Sequence, residues 1–430
     1  MGWDQRAESQ DALSALTFFM YVDDVRQLLG EASCSPLSGQ QIAECSARLP
    51  PMSPGLHSVS MVAVDGEGRE SLRSTTYQVN VVPGANATAG VVSGAAAPEP
   101  PVGASADAAA AAVGRRIVAT GLREPTDLAT TPSGSVLVAE RAGTVRLVRD
   151  GTDAALPILS LDDVALDTGG LLGLAVDPDY ARTGFVYVVY TAADGYRVAR
   201  YQHANDRLVD RVVLLDGVAA GAGATAALRF GPDGRLYVAF GAERDERLAA
   251  DAAAYNGKVL RLNADGTVPD DQAGFTPVYA SNVIAPRGLA WMPDARALWI
   301  AAGQDGSGVL NVVRQEGERL RRGRLAARYA TPEAQAPAGA LVYHGDSFKE
   351  WQGDLLVVLP AEGQVLRVRI DPADPARVLS TETVVGGLGG GARALAAAPD
   401  GTLYVAGGDS LMALSPSTLP SHAPELQVGR

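Results

Sequence analysis

Four imidazoles, His57, His203, His344 and His422, are all that a chain of 430 residues offers for proton transfer near neutrality. His57 lies in an N-terminal unit and His422 in the terminal stretch. His203 follows Arg200-Tyr-Gln at the end of an apolar run, where a solvated polar residue is expected. His344 comes just after a short apolar strand near the rim of the fold and is the one candidate base, against the simpler reading of a loop histidine. Two cysteines, Cys34 and Cys45, are separated by ten residues between turn-rich segments. That spacing predicts a local disulfide, and with it an exported protein. No His or Cys spacing suits a metal in the repeated region downstream, from residue 113 to 416. Asp305-Gly-Ser-Gly308 and Asn263-Ala-Asp-Gly266 carry oxygen donors but read as Asx turns. Gly386-Gly-Leu-Gly-Gly-Gly391 lacks the Lys-Ser/Thr of a phosphate loop and reads as a turn. The basic run Arg319 to Arg328 reads as a solvated outer loop, with anion binding as its second reading.

The elements that would position such groups come from a repeated phrase. Leu228-Arg-Phe-Gly-Pro-Asp-Gly-Arg-Leu-Tyr-Val-Ala-Phe240 has relatives beginning at Leu128, Leu174, Leu289 and Leu395. Each is an apolar strand, a turn built on Pro with Asp, Ser or Gly, and usually a second alternating strand, so each is a hairpin with a stated cause. Recurrence at this spacing predicts radial repetition. Six inner strands are expected near Asp127, Leu172, Leu228, Leu289, Leu341 and Leu395. Ile117-Val-Ala-Thr-Gly121 is expected to close the ring on the last blade, because closure protects the terminal edges. Upstream, Leu16, Phe18, Met20 and Val22 alternate, as do Val59, Met61 and Ala63, then Tyr77, Val79 and Val81. That period describes a small antiparallel sandwich. The fold class expected is therefore all-β: a six-bladed β-propeller with a small N-terminal antiparallel β-sandwich. The boundaries read as 10–83 for the sandwich, 84–112 for an Ala/Gly/Pro-rich linker, 113–416 for the propeller and 417–430 for a tail. The linker has no large side chains with which to build a core, and its Asn86-Ala-Thr88 sequon reads as chance.

A formal charge of −13 argues against a nucleic-acid partner, which needs a basic footprint. No run is long enough to cross a bilayer. Leu13 to Val22, the most apolar early segment, lacks a basic leader and reads as a strand rather than a signal peptide. A secreted, periplasmic or cell-surface location is the expectation.

The phrases Tyr21-Val-Asp-Asp24, Leu49-Pro-Pro-Met-Ser-Pro-Gly-Leu-His57 and Glu70-Ser-Leu-Arg-Ser74 resemble fibronectin type III-like modules of secreted bacterial proteins. Downstream, Thr168-Gly-Gly-Leu-Leu-Gly-Leu-Ala-Val-Asp-Pro-Asp-Tyr180, Val186-Tyr-Val-Val-Tyr-Thr191 and Asn256-Gly-Lys-Val-Leu-Arg-Leu262 resemble the soluble quinoprotein sugar dehydrogenases. These glucose/sorbosone and aldose dehydrogenases use pyrroloquinoline quinone (PQQ) and calcium on a six-bladed propeller. The resemblance implies an oxidation in which a histidine takes the hydroxyl proton while hydride passes to the quinone. In the family that histidine opens a His-Asn-Gly-Gly phrase before the third inner strand; here the stretch is Gly223-Ala-Thr-Ala226, and Gly223 carries no proton. The family's Arg-Asn-Pro-Gln-Gly is Ile284-Ala-Pro-Arg-Gly288. Its Glu-His-Gly-Pro is Ala301-Ala-Gly-Gln304, and its Asp-Glu-Leu-Asn is Gly308-Val-Leu-Asn311. Thr168 replaces a glutamine, and of paired arginines in the last blade Arg393 remains, with Gly391 in the other position. Calcium wants oxygen ligands, often anionic; the carbonyls of Gly303 and Gln304 are the surviving candidates.

The reading that follows is a secreted binding or scaffold protein on the dehydrogenase propeller, without catalysis and with no cofactor expected. A small-molecule or carbohydrate ligand would sit at the central mouth against Thr168, Thr225, Arg287, Gln304, Asp305 and Arg393. The sandwich would recruit a protein or cell-surface partner. The alternative is a divergent PQQ- and calcium-dependent glucose/sorbosone/aldose dehydrogenase with another base. A lactonase-like metal hydrolase is a third reading, opposed by the lack of clustered Glu, Asn and Asp at the inner-strand starts.

Overall fold

The computed structural model describes residues 2–6, 9–23, 25–30, 32–36, 42–47, 52, 55–65, 71, 74, 77–81, 113–149, 155–242, 246–292, 297–304, 307–316, 321–332, 335–388 and 391–416. The chain divides into two compact units, Met1–Glu99 and Pro100–Arg430. The expected linker 84–112 and tail 417–430, with His422, lie outside the described residues.

The second unit is a ring of six four-stranded antiparallel sheets. The inner strands are Pro125–Thr130, Leu171–Val176, Ala226–Phe230, Pro286–Trp291, Gly339–Val342 and Ala392–Ala397. Each packs beside the next, and the sixth packs beside the first, so the ring is closed. Closure in sequence also follows the expectation: Val113–Thr120 is the outer strand of the sixth blade, pairing antiparallel with Ser410–Pro416.

The repeated phrase folds for local reasons. In the third blade Gly231 N donates to Arg235 O and Gly234, at φ +70°, accepts the left-handed step. Asp233 Oδ1 takes the Arg235 amide, which replaces a missing backbone partner in the turn. The sixth blade repeats the arrangement, with Asp400 Oδ1 on Thr402 N and Gly401 at φ +86°. The two strands that follow such turns, Leu236–Phe240 and Leu403–Gly407, are buried along their length. They lie within a sheet that has a neighbouring blade on each face, so both alternating sets of side chains are covered.

The core is accordingly distributed. Six apolar clusters occupy the six blade-to-blade interfaces, one for each pair of neighbours. Between blades one and two, Leu137, Val145, Val186, Val188 and Tyr190 are completely buried. Each such aliphatic side chain contributes about 1.5–3 kcal/mol relative to an exposed one.

The first unit consists of two sheets. One contains Gly2–Arg6, Ile42–Ser46 and Ser33–Cys34; the other contains Val25–Leu28, Thr17–Val22, Gly55–Val64 and Tyr77–Val81. Phe18, Met20, Val22, Val59 and Met61 of one sheet share a cluster with Ala43 and Cys45 of the other. Cys34 and Cys45 face each other in register and form a disulfide. Leu13 to Val22 is not a single strand. Gln10–Ser14 is a short helix that buries Leu13, and the strand begins at Thr17. Arg319 to Arg328 is also corrected: Arg322–Ala330 is an outer strand of the fourth blade. Its Arg322 and Arg324 pair with Glu316 on the adjacent strand, and Arg321 pairs with Asp271.

Candidate functional site

All six inner strands begin at the same end of the ring, and there they enclose a cleft of about 80 Å³. Pro125 and Thr126 come from the first blade, Leu172 from the second, and Ala224, Thr225 and Ala226 from the third. Arg287, Ala338 and Arg393 complete the lining from blades four to six. Three of the residues expected at the mouth, Thr225, Arg287 and Arg393, are therefore brought together.

Thr225 is the most firmly placed. Its amide donates to the Tyr196 hydroxyl at 3.1 Å, and its carbonyl accepts from that hydroxyl at 3.0 Å and from Gly241 N at 2.7 Å. Gly241 O in turn accepts from Asn256 Nδ2. The Asn256-Gly-Lys258 phrase thus supports the mouth from behind: buried Lys258 donates to the carbonyls of Leu248, Ala249 and Asn256. Burial holds its ammonium below the usual lysine range, with Asp251 opposing the effect. Only 5% of Thr225 is exposed, yet its hydroxyl has no hydrogen-bond partner among the described residues.

The Thr168-Gly-Gly phrase also proves to be structural. Thr168 is not in the lining: its hydroxyl donates to Ala165 O and its carbonyl accepts the amides of Gly223 and Ala224. Gly170 has φ +87°, and a Cβ there would lie 2.3 Å from Arg141 O. No other residue fits that approach.

Arg287 Nε donates to Gly303 O at 3.0 Å. The carbonyl offered as a calcium ligand therefore already faces a guanidinium, and a divalent cation at that oxygen would be repelled. Only the backbone of Gln304 is described, as the last residue of Ala297–Gln304. Asp305 lies outside the described residues.

Directly below the mouth runs a feature that sequence reasoning passed over. Asp127 Oδ2 and Oδ1 accept Arg229 Nη1 at 2.6 Å and Nη2 at 2.7 Å, while the amides of Leu174 and Leu128 donate to the same carboxylate at 2.9 Å. Arg229 also donates to Leu174 O and Leu228 O. Burial works against the guanidinium, but Asp127 outweighs it and raises its pKa. The pair ties the inner strands of blades one, two and three. The available signal was one opposite charge in each of two otherwise apolar inner strands.

The histidines stand elsewhere. Inner strands run from the mouth to the far face, and His344 lies past the end of Gly339–Val342, six residues beyond Ala338. Six extended residues span roughly 20 Å. His203 is at the far end of Gly195–Ala204, where its Nδ1 meets the Tyr180 hydroxyl. Burial lowers its pKa first, with Arg149 adding and Asp206 opposing. His344 is thus withdrawn as a base for the mouth. Gly223 has φ +81° and open space where a Cβ would stand.

The described residues offer the family's calcium little. Among the described residues no cluster of three or more His, Cys, Asp or Glu could hold a metal. Two arginines suit the carboxylates of PQQ, but the described lining supplies no anionic oxygen for the calcium that accompanies it.

With this geometry in view, residues 122–319 and 313–413 match the model of a family described as Glucose / Sorbosone dehydrogenase. The uncharacterized protein slr1608 of Synechocystis sp. is 28% identical over 346 residues, covering 67% of this chain and 82% of that one. An oxidoreductase (glucose dehydrogenase) from Thermus thermophilus is similar with a TM-score of 0.58 and 28% identity, over 70% of this chain and 99% of that one. The PQQ-bound form of aldose sugar dehydrogenase from Streptomyces coelicolor shares the fold, with a TM-score of 0.59 and 24% identity, over 71% of this chain and 98% of that one.

Proposed function

Because the chain belongs to the glucose/sorbosone dehydrogenase family, we propose that it is a ligand-binding propeller which keeps the family's ring and mouth without its oxidation chemistry. The observation that carries this reading is the position of the bases. Among the described residues both propeller histidines are on the face away from the mouth, and Gly223, read from the sequence as standing in the place of the family's histidine, carries no side chain. A sugar hydroxyl in the cleft would meet Thr225, Arg287 and Arg393. A threonine hydroxyl and a guanidinium are not general bases near neutrality.

The ligand is a small molecule of carbohydrate type. The disulfide supports a secreted, periplasmic or surface location, since such bonds persist in oxidising compartments. The sandwich, read as a fibronectin type III-like module, would recruit a protein or cell-surface partner. Family membership itself favours the second reading, a divergent PQQ- and calcium-dependent aldose dehydrogenase.

The test incubates the purified full chain with PQQ, calcium, aldoses and an electron-accepting dye. No turnover above a blank is expected, and no rise in melting temperature on adding PQQ. Turnover, or a PQQ-dependent rise of several degrees, would establish the second reading.

A further inference from the structure

We propose that the mouth is a site for a small carboxylate, specifically a polyhydroxy acid rather than a neutral sugar. This rests on the reading of the mouth as a ligand site and names the class of ligand it takes.

Charge gives the first argument. The chain has a formal charge of −13, yet the described lining of the cleft contains two arginines and no carboxylate. Both arginines are exposed. Arg287 is anchored through Nε to Gly303 O, which leaves its orientation set by the fold. Arg393 has no ion pair or hydrogen bond among the described residues. This contrasts with Arg229, Arg261 and Arg367, each of which meets a carboxylate. A planar guanidinium without a structural partner matches a carboxylate in two parallel hydrogen bonds.

The second argument is independent of charge. Thr225 is clamped through its backbone, is 5% exposed, lines the cleft, and has a hydroxyl with no hydrogen-bond partner among the described residues. A hydroxyl that the fold leaves without a partner is open to a ligand hydroxyl, which can replace the water it would otherwise meet. Leu172, Ala226 and Ala338 supply apolar wall between these polar points. Such walls suit a carbon skeleton, which inorganic phosphate lacks. A carboxylate at the arginines and a hydroxyl at Thr225 together describe a short polyhydroxy acid.

Isothermal titration calorimetry of the full chain with D-gluconate, D-glucose and inorganic phosphate tests the assignment. Gluconate is expected to bind, with affinity falling as salt is raised. Arg393→Met should weaken it by about tenfold to a hundredfold, since a charge-assisted contact is lost. Thr225→Val should weaken it by about tenfold. Unchanged melting temperatures would show that both variants fold. Glucose binding as tightly as gluconate, insensitive to Arg393→Met, would overturn the acid assignment while leaving a ligand site at the mouth. Phosphate binding more tightly than gluconate would overturn the carboxylate. No binding of any of the three would overturn both the assignment and the ligand site. Catalysis is read separately by the dye assay, so its appearance would count against the non-catalytic reading alone.

Discussion

Replacing Arg229 by methionine removes one partner of the ion pair below the mouth and leaves a similar volume of apolar chain. Four contacts disappear: two to the Asp127 carboxylate, at 2.6 and 2.7 Å, and two to the carbonyls of Leu174 and Leu228. Asp127 keeps the amides of Leu128 and Leu174, both at 2.9 Å, so its charge is not left bare. The cost therefore belongs at the lower end of the range for breaking a buried pair, about 3 kcal/mol. Unfolding entropy of about 2.1 cal/mol/K per residue gives roughly 0.6 kcal/mol/K for a propeller of about 300 residues. The melting temperature should fall by about 5 °C. Tryptophan fluorescence reports it, because three of the four tryptophans, Trp291, Trp299 and Trp351, are in the propeller. Asp127→Asn combined with Arg229→Met should recover at least about 1 kcal/mol over the sum of the single changes, since the residues contact directly. A loss under about 1 kcal/mol in Arg229→Met, or strict additivity in the double variant, would refute the claim that this pair locks three inner strands.

Gly223→His puts an imidazole where the proposed reading sets the family's histidine, but forces a side chain onto φ +81°. It should fold with a loss of about 1–2 kcal/mol and show no dye-linked oxidation with PQQ and calcium; turnover would mean that only the base was missing. The pKa of His203 is lowered in the folded state, so the unfolded chain binds the proton more readily. Its contribution is complete above about pH 6.5 and is lost as pH falls through the folded value. His203→Gln should flatten that part of the melting-temperature profile while still accepting from Tyr180; an unchanged profile would contradict the assignment. Lys258→Met leaves three carbonyls without their donor and should cost about 2 kcal/mol by denaturant titration. Gly170→Ala, with a Cβ 2.3 Å from Arg141 O, should lower the yield of folded protein more than Gly234→Ala, whose added Cβ meets nothing within 4 Å.

The ring was legible because its causes are local. A turn of Pro, Asp and Gly needs only its own four or five residues, as the Asp233 and Asp400 hydrogen bonds show. Alternating apolar strands then leave few options but stacking in a circle. The disulfide was legible for a similar reason, since Cys34 and Cys45 are close in sequence and directly opposed across two short strands. Errors came where one local pattern admits two structures. Leu13 to Val22 is apolar enough for a strand throughout, but Gln10-Asp-Ala-Leu-Ser closes a helical turn before it. Arg319 to Arg328 looked solvated because it is charged, although an outer strand exposes one face to water and its arginines find Glu316 and Asp271.

The mouth was different. Residue order alone could nominate Thr225, Arg287 and Arg393, and could show that Gly223 holds no proton. It could not say that Thr168 faces away, that Gly303 O is taken by Arg287, or that His344 is on the opposite face. Each of these depends on which end of a strand meets which end of another, over separations of many tens of residues. The Asp127–Arg229 pair spans 102 positions, and neither partner's role can be read without the other. Strand and turn are set by neighbours along the chain, through backbone hydrogen bonds and alternating burial. The cleft exists only once six inner strands share one origin, and that is a consequence of closing the ring.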